Sequence, residues 1–185
     1  MPQDGDSRLL HDLGSAHLGG FEGEVCVAGP CVTAGYLMRD HMSQDPNIEA
    51  FSLPTAPVGR MLRTGDKGYV DADGYLQLVG RFKEIINRGG EKIAPKEVDD
   101  VLMDHPAVAQ AVTFAMAHAS LGEEVAAAVV AVDGAEVDAA TLRKFCGERL
   151  AAFKVPREIV VVPEIPKGPT GKLQRIGLAK ALGLE

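Results

Sequence analysis

The pattern of the chain changes at Gly80 to Pro95, GRFKEIINRGGEKIAP, and this change constrains the fold more than any other feature. Before it lie short β-rich runs separated by turn residues. After it, apolar residues at helical spacing alternate with continuous β-branched runs. The pattern predicts an α+β chain in two parts: a β-rich, barrel-like part over residues 1–81, then a small α+β domain over 82–185 with about three strands and two or three helices. The stretch carries Arg81, Lys83, Arg88 and Lys92 against Glu84 and Glu91, in a chain of formal net charge -7. A local cationic excess on an acidic background suits an anionic ligand. Gly89 and Gly90 remove side chains from the tip, so a ligand could approach closely there. A plain hairpin with a glycine turn accounts for them as well.

Taken in order, residues 1–20 show no sustained period and are expected to be poorly ordered. Glu22 to Val32 reads as strand, with Gly29 and Pro30 marking a turn, and Asp45 and Pro46 break the segment that follows. A short strand is expected around Arg60 to Arg63. Gly68 to Val70 and Tyr75 to Val79 then form a hairpin about the turn Asp71 to Gly74. Beyond the central stretch, Pro95 opens a helix to Met103, with Glu97, Asp99 and Asp100 placed where the helix dipole favours negative charge. Val108 to Met116 and Val125 to Val132 read as buried strands, with a loop over 118–124 between them. Asp138 caps a second helix over 139–150, and Leu142, Phe145, Cys146 and Leu150 form its apolar stripe. Glu158 to Val162 is a third strand, and a last helix runs from Gln174 to Leu182.

Several function classes are excluded by composition. A pI near 5.2 and the absence of a Lys/Arg run argue against nucleic acid or an anionic membrane surface as partner. Cys26, Cys31 and Cys146 form neither a CxxC pair nor a zinc spacing, which leaves a reducing, cytoplasmic location and no metal. No run approaches the roughly 18 apolar residues of a membrane span. The final Gly183, Leu184 and Glu185 do not form a Ser-Lys-Leu peroxisomal address. His11, His17, His41, His105 and His118 fit no HExxH spacing, and no serine lies in a GxSxG elbow, so hydrolase chemistry has no foothold.

Two positions invite chemistry. Asp66, beside the hairpin, could accept two hydrogen bonds from vicinal hydroxyls such as those of a ribose, or could close an Asx-turn on its own backbone. The loop PKGPTGKLQR, Pro166 to Arg175, is not a phosphate-binding P-loop: Pro166 stands where glycine is needed and Leu173 where Ser or Thr is needed. What remains is Lys172 on a glycine-flanked loop, with Lys167 and Arg175 nearby. It is either a solvated lysine or a point charge able to reach a phosphate or carboxylate.

Together, TGDKGYVDADGYLQLVGR, GRFKEIINRGGEKIAPKEVDDVL, FKVP and PKGPTGKLQR resemble, in order and spacing, the C-terminal part of the adenylate-forming enzymes. These include acyl-CoA synthetases, 4-coumarate:CoA ligases, luciferases and peptide-synthetase adenylation domains. NRGGEKI and AAFKVP look most like the plant and fungal oxalate:CoA ligases. The resemblance implies roles residue by residue. Asp66 holds the ribose hydroxyls of ATP and acyl-AMP, and Arg81 contacts the nucleotide. Lys83 is the hinge about which the small domain turns between adenylating and thioester-forming poses, and Lys83, Asn87 and Lys92 lie near the nucleotide. Gly89 and Gly90 border the CoA pantetheine channel. Lys172 is the catalytic lysine of adenylation.

The resemblance also implies ATP/AMP and CoA as cofactors, a small-molecule carboxylic acid as substrate, and cytoplasmic or peroxisomal location. A complete enzyme of this kind has a Ser/Thr/Gly-rich phosphate loop, a metal-binding glutamate and an acyl pocket upstream, and none of these occurs in the 185 residues. Mg2+ is therefore expected only with an N-terminal portion. The reading is the C-terminal portion of an ATP-dependent acid:CoA ligase, inactive alone: a gene fragment, an incomplete gene model or a half that complements another chain. The alternatives are a non-catalytic nucleotide, CoA or partner-binding module, or a relative that loads a carrier protein.

Overall fold

The computed structural model describes residues 22–38, 40, 42–51, 61–168 and 171–184. The expected disorder of residues 1–20, the start of a strand at Arg60, and His11, His17 and His41 lie outside them. The chain divides into two compact units, Met1–Phe82 and Lys83–Glu185.

In the first unit, β1 (Gly23–Val27), β2 (Leu62–Val70) and β3 (Leu76–Arg81) form an open antiparallel sheet in the order β1-β2-β3. No closed barrel exists among the described residues, because the sheet has only these three strands. The turn between β2 and β3 is built by Asp71, whose Oδ1 accepts the Asp73 and Tyr75 N–H groups at 3.1 and 2.8 Å. Gly74 at φ 88 completes it. Contacts from Gln77 and the backbone N–H groups hold the Asp71 carboxyl below its ordinary range.

Asp45 and Pro46 do not merely break the chain. They start the short helix α1 (Pro46–Ala50), with Asp45 Oδ1 accepting the Asn47 N–H at 2.9 Å and proline at the first helical position.

Among its described residues, the second unit carries five strands where about three are expected. The order is β5-β4-β7-β6, from β4 (Ile86–Arg88), β5 (Glu91–Ile93), β6 (Val108–His118) and β7 (Gly122–Ala131), with β8 (Glu158–Val161) parallel to β7 on its free length. The two added strands are three residues each, too short to show an alternating pattern. The expected loop at 118–124 shrinks to a tight turn: β6 runs on to His118 and β7 begins at Gly122.

The helices follow their local signals. α2 (Pro95–Met103) starts at its proline, and α3 (Ala139–Gly147) is capped by Asp138 Oδ1 accepting the Thr141 N–H at 2.9 Å. α3 stops at Gly147, short of Leu150. The last helix, α4 (Leu178–Ala181), is half the expected length because Gly177 enters it in the left-handed region at φ 81.

The run VAAAVVAV is apolar throughout because β7 is covered on both faces. Val125, Ala127 and Val129 pack with Ile86, Ile93, Leu102 of α2 and Leu142 and Cys146 of α3. Ala126 and Ala128 face the other way, toward Phe114, Ile165 and Leu178 of α4. Alternation with period two thus feeds two small cores, and each fully buried Leu, Ile or Phe contributes about 1.5–3 kcal/mol. No helix of the described residues is long and apolar enough to cross a membrane.

Candidate functional site

Within the first unit, the antiparallel register sets Asp66 of β2 directly across from Arg81 of β3. Arg81 Nε donates to Asp66 Oδ1 at 2.7 Å and its Nη2 donates to the Thr64 carbonyl at 3.1 Å. The Thr64 hydroxyl donates to the Val25 carbonyl at 2.8 Å and accepts the Asp66 N–H at 3.0 Å, which fixes the backbone beneath the carboxylate. Asp66 therefore does not close an Asx-turn; its carboxylate is aimed across the sheet. Oδ2 accepts no hydrogen bond from any described residue, which leaves a charged acceptor beside a half-exposed guanidinium. A carboxylate and a guanidinium side by side can meet a diol and a phosphate together.

Within the second unit, Lys83 lies in the 3-10 turn Phe82–Glu84, and Asn87, Gly89, Gly90 and Lys92 follow on the β4–β5 hairpin. Gly89 and Gly90 take φ 58 and 102, a turn that L side chains resist. The Gly89 N–H donates to the Leu121 carbonyl at 2.9 Å, and a Cβ there would lie 2.9 Å from Leu121 Cδ2. Asn87 Oδ1 accepts the Gly90 N–H at 3.2 Å, while the Asn87 N–H donates to Glu123 Oε2 at 2.6 Å. Lys92 is exposed and pairs across the hairpin with Asn87.

The hairpin is anchored on β7 by an ion pair beside its glycine turn. Arg88 Nε donates to Glu124 Oε1 at 2.5 Å, and Glu124 is 1% exposed. Burial raises the Glu124 pKa, but the Arg88 hydrogen bond, the Val125 N–H and the nearby positive charge outweigh it, so the carboxyl is held below its ordinary range.

Lys172 stands on the loop before α4. The loop is closed at its base by the bridge between Lys167 and Leu173 and by the Gly168 N–H donating to the Lys172 carbonyl at 2.9 Å. The side chain is exposed and makes no ion pair with any described residue. Lys167, its neighbour, is instead tied to Glu164 at 2.9 Å.

Three residues beyond Lys172, Arg175 joins a cluster that the sequence did not reveal. Its Nε donates to Glu84 Oε2 at 3.0 Å, its Nη1 to the Thr113 carbonyl at 3.0 Å, and its Nη2 lies 2.7 Å from Asp99 Oδ2. The Thr113 N–H donates to Asp99 Oδ1 at 2.6 Å. Asp99 is thus a buried partner of Arg175 rather than a helix-dipole charge. Burial pushes its carboxyl up from the ordinary value, against the pull of Arg175. Of its helix neighbours, Glu97 binds Lys154 of FKVP at 2.6 Å and Asp100 binds Lys96 at 2.7 Å. Among the described residues, no group of three or more His, Cys, Asp or Glu side chains could hold a metal ion.

The sequence of residues 97–172 matches the family model of the AMP-binding enzyme C-terminal domain. A probable CoA ligase of Humulus lupulus is 49% identical over 172 residues, covering 92% of this chain and 31% of that relative. The chain belongs to the adenylate-forming enzymes, as their C-terminal portion. A second member, an oxalate-CoA ligase of Arabidopsis thaliana, is 43% identical over 167 residues, with 90% of this chain and 30% of the relative covered. Among solved adenylate-forming structures, o-succinylbenzoate CoA synthetase of Bacillus subtilis, in complex with its acyl-adenylate intermediate, superposes with a TM-score of 0.76 at 32% identity. That match covers 93% of this chain and 33% of the other. The chain spans about a third of the length of the relatives it matches.

Proposed function

We propose that these residues are the C-terminal portion of an ATP-dependent carboxylic acid:CoA ligase. The reaction has two steps: the acid attacks the α-phosphate of ATP to give acyl-AMP and pyrophosphate, and the CoA thiol then displaces AMP to give the thioester. The observation that carries the reading is Lys172: an exposed ammonium, free of acidic partners among the described residues, on a loop whose backbone is fixed at its base. A point charge of this kind stabilises the negative charge that develops as carboxylate meets phosphate.

The other residues take complementary roles in this proposal. Asp66 Oδ2 accepts from the ribose hydroxyls and Arg81, already oriented by Asp66 Oδ1, contacts the nucleotide. Lys83 is the position about which the small domain turns between the two steps, with Asn87 and Lys92 near the nucleotide. The side-chain-free surface of Gly89 and Gly90 lets the pantetheine arm pass close to backbone. The phosphate grip, Mg2+ and acyl pocket come from an N-terminal portion, so these residues alone do not form acyl-adenylate. The substrate is a small-molecule carboxylic acid, and its selection belongs to the acyl pocket of the N-terminal portion.

Pyrophosphate release from ATP and a panel of carboxylic acids tests this, using the chain alone and together with the N-terminal two thirds of a relative. Turnover is expected only in the pair. Turnover by the chain alone contradicts the proposal, and nucleotide binding without turnover in any pairing marks a binding module instead.

A further inference from the structure

Arg175 directs its guanidinium to three elements at once: Glu84 at the end of the 3-10 turn, Asp99 of α2 and the Thr113 carbonyl of β6. The cluster is dry. Asp99 is 8% exposed, and the Arg175 and Glu84 side chains are 22% and 26% exposed. Both Asp99 oxygens are engaged, one by Arg175 and the other by the Thr113 N–H. The guanidinium holds its donors in a rigid planar fork wide enough to meet all three acceptors, whereas a lysine at this position would offer three donors on one compact charge. Arg175 lies three residues after Lys172, and Glu84 lies one residue after Lys83. Three residues of chain reach at most about 10 Å, so the site of Arg175 limits where the base of the Lys172 loop can go.

We infer that Arg175 is a positioning residue for the adenylation lysine: the Arg175, Glu84 and Asp99 cluster pins the base of the Lys172 loop to the residue following the hinge position. This rests on the reading of Lys172 and Lys83 given above. A turn about Lys83 is then passed to Lys172 through Glu84 and Arg175, not through a slack loop. A lysine displaced by about 1 Å from the reacting phosphate is enough to cost on the order of 100-fold in rate. The thioester step, which does not use Lys172, has no need of the cluster. A cluster that only staples the last helix to the sheet would instead support both steps equally.

The test measures the two half-reactions separately in the chain paired with an N-terminal portion, for the Arg175→Lys, Glu84→Gln and Lys172→Ala variants. Adenylate formation is expected to fall about 10- to 100-fold in Arg175→Lys and less in Glu84→Gln, which keeps the Asp99 contact. Thioester formation from supplied acyl-adenylate is expected to stay within about 2-fold of the parent. In the chain by itself, amide exchange of the Gly168 N–H, which reports closure of the loop base, is expected to quicken in both variants. Equal losses in the two half-reactions, or unchanged adenylation in both variants, overturn the inference. If Lys172→Ala abolishes adenylation while Arg175→Lys and Glu84→Gln do not alter it, the inference alone falls. Intact adenylation in Lys172→Ala overturns the lysine reading and this one with it.

Discussion

Arg81 and Asp66 face each other across β2 and β3, with Arg81 Nε donating to Asp66 Oδ1 at 2.7 Å and Asp66 Oδ2 accepting no hydrogen bond among the described residues. The pair is a cross-strand contact that holds a carboxylate ready for a second partner. Its exposure separates stability from binding. Arg81 is more than half exposed, so loss of the ion pair is expected to cost less than about 1 kcal/mol of stability. Hydrogen bonds to a charged acceptor are worth about 1.5–3 kcal/mol, so Asp66→Asn is expected to weaken AMP binding roughly 10- to 100-fold. Calorimetry with AMP on the chain paired with an N-terminal portion, alongside thermal melts, checks both.

Glu124 predicts a pH dependence. Its carboxyl is held below the ordinary range in the folded chain, so it contributes stability above the unfolded glutamate value of about 4.3. That contribution is lost as pH falls through the lower folded value. Glu124→Gln is therefore expected to lower the melting temperature by several degrees at pH 7, with the gap to the parent closing in acid. A gap that is constant down to pH 3 in thermal melts contradicts the assignment.

Gly89 predicts a local backbone effect. At φ 58 any other residue pays about 1–2 kcal/mol, and an added Cβ must also move Leu121 Cδ2. Gly89→Ala is expected to lose that amount in urea melts and to slow thioester formation from supplied acyl-adenylate more than adenylate formation. Equal effects on the two steps would detach this turn from the CoA side.

The cysteines are expected to behave as one accessible and two protected thiols. Cys31 is exposed, while Cys26 and Cys146 are buried, and burial pushes the Cys146 thiol up to about 11. A thiol reagent at pH 8 should label one site rapidly in the native chain and three in denaturant. Rapid native labelling of Cys146 contradicts the core packing of α3.

What could be read from the sequence was what short-range signals carry. Pro95 and Asp138 start α2 and α3 because a helix start is decided within four residues. The same signal at Asp45 and Pro46 starts α1, but both residues also punctuate turns, and a five-residue helix adds no period to separate the two. The strands β4 and β5 escape for a related reason, each being three residues long. The four ordered motifs mark the family, and they do so without geometry. Side-chain partnerships are another matter. Asp66 meets Arg81 only through a sheet register, and Arg175 meets Glu84 across 91 positions of sequence. Asp99 looked like a helix-end charge because local rules favour acid there; only the tertiary approach of Arg175 and Thr113 gives it a different part.

The proposed ligase chemistry turns most directly on the Lys172 ammonium, and it is tested by ATP–pyrophosphate exchange in the chain paired with an N-terminal portion. Loss of one preorganised charge at the reacting phosphate costs on the order of 100- to 1000-fold in rate, so Lys172→Ala is expected to fall by that factor with its melting temperature unchanged. Exchange at the parent rate in Lys172→Ala would contradict the account.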